Sequence, residues 1–148
     1  MLEFSHIVIA LAIAKFLGFS MNYLNIFILA LFAVLPDIDI PSSVIGRILF
    51  PISRYLYQRF GHRSLTHSLI FMLFLCNLTF FWRSVWCLSL IAYGSHLFAD
   101  MLTYNGVMLL YPYKRFYVIF NGRLKTGGVA EIFIFSVLFI YCFSQFIM

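Results

Sequence analysis

Long apolar runs, interrupted at a few polar positions, organise the whole chain. The clearest cover 65–82, 84–103 and 129–148. Each approaches the ~20 apolar residues that a helix needs to cross a bilayer, with ~17 as a lower limit. Residues 4–36 are too long for one helix, and GFSMN at 18–22 reads as a turn, so two short helices are predicted at 4–18 and 22–36. A partly inserted hairpin is the alternative for this pair. Between 42 and 60, Val44, Ile45, Ile48, Leu49, Ile52, Tyr55 and Leu56 recur at helical spacing, with Arg47 and Arg54 on the other face. That is the pattern of a helix lying in the interface, which serves equally to dock on lipid or merely to connect. Pro51 is expected to bend or split it. The pattern therefore predicts an all-α integral membrane protein in a single domain, 1–148, with about five short transmembrane helices and one interfacial amphipathic helix.

Composition agrees with this picture. The chain is 64% hydrophobic and 10% charged, against about a quarter charged in soluble domains, so too few polar side chains exist to cover a soluble surface. Cys76, Cys87 and Cys142 lie in apolar stretches without CxxC spacing, and neither a disulfide framework nor a thiolate metal site is expected. The N-terminus carries Glu3 and no basic residue before its apolar run, so an uncleaved first helix is expected rather than a signal peptide.

Charge sets the topology. Arg47, Arg54, Arg59 and Arg63 fall in the connection 37–64, and Lys114, Arg115, Arg123 and Lys125 in the connection 104–128; only Lys15 and Arg83 lie elsewhere. By the positive-inside rule this side is cytoplasmic, which makes the protein multi-pass in the inner (plasma) membrane with its N-terminus cytoplasmic and its C-terminus outside. The isoelectric point of about 9.3 follows from that topology; no nucleic-acid motif accompanies it, and no nucleic-acid partner is expected.

The acidic residues and histidines then share one depth. Glu3, His6, Asp37, Asp39, His62, His67, His96, Asp100 and Glu131 all map to the cytoplasmic ends of the predicted helices, although topology was assigned from Lys and Arg alone. Ionisable groups at membrane depth cost ~2.5–3.5 kcal/mol each, and short Asp and His side chains cannot snorkel as Lys and Arg do. His96 and Asp100, four apart, share a helix face. Asp37 and Asp39 sit between Pro36 and Pro41; in an extended backbone they point the same way. Ser64 is expected to cap the third helix, with His62 in the turn before it and His67 in its first turns. Imidazoles and carboxylates together suit a divalent metal, zinc first and manganese or iron next.

These stretches resemble a known family. SHIVIALA, LPDIDIP, GHRSLTHS, SHLFADMLTYNGVMLLYPY and KTGGVAE are similar to the motifs of the YdjM-like, LexA-regulated, membrane-bound metal-dependent hydrolases, over nearly the whole chain. Ser5 stands where members often have threonine, which keeps the hydroxyl. The resemblance implies an inner-membrane hydrolase built on these His and Asp residues and, through LexA, a place in the SOS response. More distantly, the ligand logic is similar to that of zinc phospholipase C.

The expected site holds two or more metal ions through His6, Asp37, Asp39, His62, His67, His96 and Asp100. Glu131 is a candidate general base, further ligand or acceptor for an imidazole N–H, and Arg63 a candidate for holding a phosphate oxygen, since its fork fits that geometry. Thr66 and Ser68 are expected to cap the helix or orient ligands, Thr103 and Tyr104 to support the site from behind, and Asn105-Gly106 to turn. Membrane lipid is the expected partner and a lipid phosphate the expected substrate. A transporter would carry ionisable groups through the bilayer with a site near the midplane, which this chain lacks. A phosphatidic-acid-phosphatase-type enzyme would need companion motifs that are absent. A non-catalytic protein that metal merely staples together, or an ion-binding or transport protein, is the alternative, and no small-residue stripe names an oligomer interface.

Overall fold

In a computed structural model that describes residues 2–119 and 125–144, every extended element is a helix. In chain order they are α1 (Glu3–Phe16), α2 (Tyr23–Val34), a 3-10 turn (Leu35–Asp39), α3 (Val44–Ile48), α4 (Phe50–Phe60), α5 (Leu69–Asn77), α6 (Arg83–Met101) and α7 (Val129–Phe143). Arg123 and the last residues of the expected 129–148 run lie outside the described residues.

Most boundaries follow local chemistry. Asn22 accepts from the Asn25 amide and opens α2 as an N-cap does, after the turn expected at 18–22. Pro51 stands in the first turn of α4 and separates it from α3, so the amphipathic stretch is split as its proline suggests. Two expectations fail. Ser68, not Ser64, caps α5, accepting from the Phe71 amide; Ser64 instead donates to the carbonyls of Phe60 and Gly61. His67 thus precedes the helix, in an irregular segment over 61–68. Asp37 and Asp39 lie on a 3-10 turn rather than in extended backbone, so with about three residues per turn their side chains diverge.

The helices are also shorter than a bilayer is thick. Among the described residues no helix is long and apolar enough to cross a membrane; α1, α2 and α5 have 14, 12 and 9 residues. The turn over 17–22 divides α1 from α2, and α5 lies between the irregular 61–68 segment, which carries His62 and His67, and the turns after Asn77. Large apolar side chains nonetheless face outward, among them Phe4, Phe16, Phe27, Phe74, Phe81 and Phe98.

α6 packs against α1, α2 and α5, and α7 packs on α1. Ala10 and Ala14 of α1, Ala33 of α2 and Ala92 of α6 are buried together; these small residues let the backbones approach closely. Glu131 at the start of α7 contacts Leu2, and Lys15 near the end of α1 donates to the Tyr141 and Cys142 carbonyls. α1 and α7 are therefore parallel. The segment after α6 folds back through a bridge between Val107 and Tyr117 and lies over 61–68, where the Met108 amide donates to the Arg63 carbonyl.

Candidate metal centre

All seven metal-ligand candidates converge. His6 comes from the first turns of α1, Asp37 and Asp39 from the 3-10 turn, His62 and His67 from the irregular 61–68 segment, and His96 and Asp100 from the last turns of α6. Six are buried; the His62 side chain is 30% exposed. They form three sets able to hold a metal ion: His6 with His96 and Asp100, Asp37 with His67 and His96, and Asp39 with His62 and His67.

Hydrogen bonds assign the imidazole protons. His96 Nδ1 lies 2.7 Å from the Ala33 carbonyl. A carbonyl only accepts, so Nδ1 carries the hydrogen and a neutral ring presents its Nε2 lone pair. Thr66 donates its one hydroxyl hydrogen to Asp39 Oδ2 at 2.8 Å, so His67 Nδ1, 3.1 Å from Thr66 Oγ1, is the donor of that pair. His67 Nε2 is then the free atom of its ring. The two Nε2 atoms stand 3.2 Å apart; two neutral rings would repel there lone pair to lone pair, so the separation calls for a proton or a metal ion between them.

The surroundings fit the ion. Asp37 Oδ1 lies 3.6 Å from His67 Nε2 and 3.8 Å from His96 Nε2. Asp100 Oδ2 lies 3.7 and 3.9 Å from the same two atoms. At metal–donor distances of about 2.0–2.1 Å, the edge of a tetrahedral site is about 3.3 Å, so these separations lie near that edge, with Asp37 and Asp100 belonging to different sets. His6 stacks on His96 with ring centroids 3.7 Å apart. Both His6 nitrogens are buried without a hydrogen-bond partner, its Nε2 lying 3.5 Å from Asp100 Oδ1. A buried imidazole with neither nitrogen satisfied is costly, and a cation bound to one of them removes part of that cost.

The two aspartates of LPDIDIP serve different ends of the centre. Asp37 faces His67 and His96; Asp39 accepts from the Arg63 amide and Thr66 and contacts His62 Nδ1 at 3.0 Å. Burial by itself raises the pKa of Asp37, but the hydrogen bond to His67 and the nearby imidazoles outweigh it and bring it to about 2. Asp39 is held lower still, burial again being outweighed by His62 and His67. Both are ionised at neutral pH.

Arg63 and Glu131 are built into the fold. Arg63 pairs with Asp100 Oδ2 at 3.0 Å and donates to Thr103 Oγ1, so its guanidinium faces the centre's own carboxylate. Its φ of 62° is a left-handed conformation that costs a residue with a Cβ roughly 1–2 kcal/mol, and that bend aims its amide at Asp39. Glu131 accepts from the Leu2 and Gly127 amides and belongs to none of the three metal sets. Thr66 orients Asp39 and His67 rather than capping a helix. Thr103 does support the centre, holding Arg63 while donating to the Asp100 carbonyl. Sequence reading missed Tyr93, which donates to the Thr66 carbonyl, and the Ala33 carbonyl; the one available signal was Tyr93 lying three residues before His96, on the same face. Beside the centre, His62, Arg63, Tyr104, Asn105, Phe116 and Val118 line an open groove of about 540 Å³.

Comparison with known proteins places the chain. Residues 1–147 match the family described as YdjM inner membrane protein. The chain is 36% identical over 117 residues to inner membrane protein YdjM of Escherichia coli, covering 73% of this chain and 59% of that protein, and equally to its Shigella flexneri counterpart. Against the uncharacterized protein YvsG of Bacillus subtilis it is 36% identical over 102 residues, 67% of this chain and 63% of the relative. It thus spans about three-fifths of the length of these relatives, and no solved structure matches it. On the match over nearly its full length, the chain belongs to the YdjM inner membrane protein family.

Proposed function

We propose that this protein is a metal-dependent hydrolase of the inner membrane that acts on a lipid phosphoester at the cytoplasmic boundary. The observation that carries this reading is the pair of opposed Nε2 atoms of His67 and His96, 3.2 Å apart between two carboxylates. His96 has one free nitrogen, so only one ion can use it, and the two sets that share His96 describe one central position. His67 can join Asp39 and His62 in a second, outer position beside the groove only through its Nδ1, once that nitrogen gives up its hydrogen. Zinc suits the mixed imidazole and carboxylate donors best.

Charge supports an anionic substrate. Asp37, Asp39 and Asp100 bring three negative charges into the centre; Arg63 offsets one, and a single divalent ion offsets the other two. A second ion leaves a positive excess that a phosphate group neutralises. Bound there, the ions would polarise a phosphoryl oxygen and lower the pKa of a water to about 7. The chain's own contribution is to orient. Asp39 holds the His62 ring by Nδ1 beside the groove, with that ring 30% exposed. Thr66 and Ala33 orient the rings of His67 and His96 through Nδ1, and Arg63 holds Asp100 in place.

The family's inner-membrane description supports the location. Arg47, Arg54, Arg59, Lys114, Arg115 and Lys125 are exposed, whereas four of the five carboxylates are buried, the distribution expected of a cytoplasmic face. The parallel course of α1 and α7 fits two crossings in the same direction, with the N-terminus inside and the C-terminus outside. Irregular backbone at membrane depth is tolerated where protein buries it, as at 61–68.

The test is metal content of the detergent-purified protein by plasma mass spectrometry, beside His67→Ala, with hydrolysis of phosphatidic acid and isoprenoid phosphates in mixed micelles. Near-stoichiometric zinc lost in the variant, with turnover of one of these amphiphiles, is expected. A folded wild type that stays metal-free after reloading would overturn the reading. A second reading, metal as a structural staple, is favoured by the burial of all four central donors, since closed sites are structural. It predicts bound zinc without exchangeable water at the metal and without turnover.

A further inference from the structure

We infer that Glu131 is a positioning residue that seats His6 in the metal centre by fastening the starts of two helices with one carboxylate. The inference rests on the metal reading above. Leu2, the residue before α1, has no side chain able to cap, and α7 opens on Gly128 without a side-chain cap. Glu131 supplies both. Its Oε1 accepts from the Leu2 amide at 2.6 Å and its Oε2 from the Gly127 amide at 2.9 Å. The second contact is the backward reach of a glutamate at the third helical position, as in a capping box. The first crosses 129 residues of sequence and ties α1 to α7.

His6 lies directly downstream of that tie. The Leu2 carbonyl accepts from the Ser5 and His6 amides, so the Leu2 peptide, held by Glu131 through its N–H, sets the first turn of α1. That turn places the His6 ring flat on His96 and 3.5 Å from Asp100. Besides the 3.5 Å contact with Asp100, backbone placement and stacking on His96 position the ring. A negative charge at the N-termini of both helices also complements both dipoles. Glu131 is 1% exposed, and with both oxygens on amides its place is fixed. Loss of the carboxylate frees the first turn of α1 and withdraws His6, while the donors on α6 and in 61–68 stay where they are.

The experiment uses the full-length protein in detergent, as wild type, Glu131→Gln, Glu131→Ala, His6→Ala and the Glu131→Ala/His6→Ala double variant. Amide hydrogen exchange and the imidazole nitrogen resonances of His6 report the clamp; zinc competition against a chelator reports the centre. Faster exchange over 2–8 with unchanged exchange in α6 is expected, with a shift of the His6 resonances. Zinc affinity falls about ten- to a hundredfold, the usual size for residues that support ligands. The double variant binds zinc no more weakly than His6→Ala, because both changes remove the same contribution. Unchanged exchange over 2–8, or additive losses in the double variant, overturns the inference. Should Glu131→Ala fail to fold, Glu131→Gln keeps one acceptor and is read in the same way. A wild type that binds no zinc refutes the hydrolase reading; exchange and the His6 resonances then still decide the clamp.

Discussion

His67 and His96 meet nitrogen to nitrogen, Nε2 to Nε2 at 3.2 Å, with 29 residues of sequence between them. Each ring has its other nitrogen turned to an oxygen acceptor, Thr66 Oγ1 for His67 and the Ala33 carbonyl for His96. In the neutral rings two lone pairs are therefore aimed at one point, flanked by Asp37 and Asp100.

Thr66 governs one of those lone pairs. Thr66→Val keeps the side-chain shape but removes both the hydrogen given to Asp39 and the oxygen that receives the His67 Nδ1–H. Zinc affinity is expected to fall about ten- to a hundredfold, and Thr66→Ser to stay near wild type. Chelator competition measures both; equal affinities in the Val and Ser variants would remove Thr66 from the centre.

Arg63 acts as counter-charge to Asp100. Arg63→Gly relieves the left-handed backbone at φ 62° but breaks a buried ion pair, at a cost of about 3–5 kcal/mol. The metal-free protein is expected to lose most of that stability, and added zinc to recover part of it by replacing the positive charge. Thermal unfolding with and without zinc is the measurement; an identical loss in both states would assign Arg63 to packing alone.

Asp37 sets the acid limit of the metal-free fold. Its pKa is lowered from 3.8 to about 2 in the folded state, so its contribution is complete above about pH 4 and is lost as pH falls through 2. Asp37→Asn is expected to be less stable than wild type at pH 6 and to converge with it near pH 2. A gap that stays constant from pH 6 to pH 2 would mean that ionisation of Asp37 contributes nothing.

Gly106 shapes the groove. Its φ is +61°, and a Cβ there would stand 2.5 Å from Val118 Cγ2 and 2.6 Å from the Tyr117 carbonyl oxygen. Gly106→Ala is expected to destabilise the protein by more than about 1 kcal/mol and to loosen the Val107–Tyr117 bridge, while metal content persists because every donor lies elsewhere. Thermal unfolding and plasma mass spectrometry check the two halves separately.

Periodicity along the chain determined the helical class, the turn at 18–22, the extent of α6 and the split of the amphipathic stretch at Pro51, since each depends on neighbours within a turn or two. The burial cost of Asp and His in so apolar a chain also singled out the seven donors that the fold brings together. What lay beyond the sequence was through-space. The 3-10 backbone turns Asp37 and Asp39 apart, though their spacing alone suggested a common direction. The Ala33 carbonyl fixes a tautomer 63 residues away. Glu131, a candidate base by residue type, has both oxygens on backbone amides, and Arg63, a candidate for phosphate, faces Asp100. Donor identity is a property of the residue and is legible locally; which lone pair is free, and which charge answers which, depends on partners that only tertiary packing brings within 4 Å.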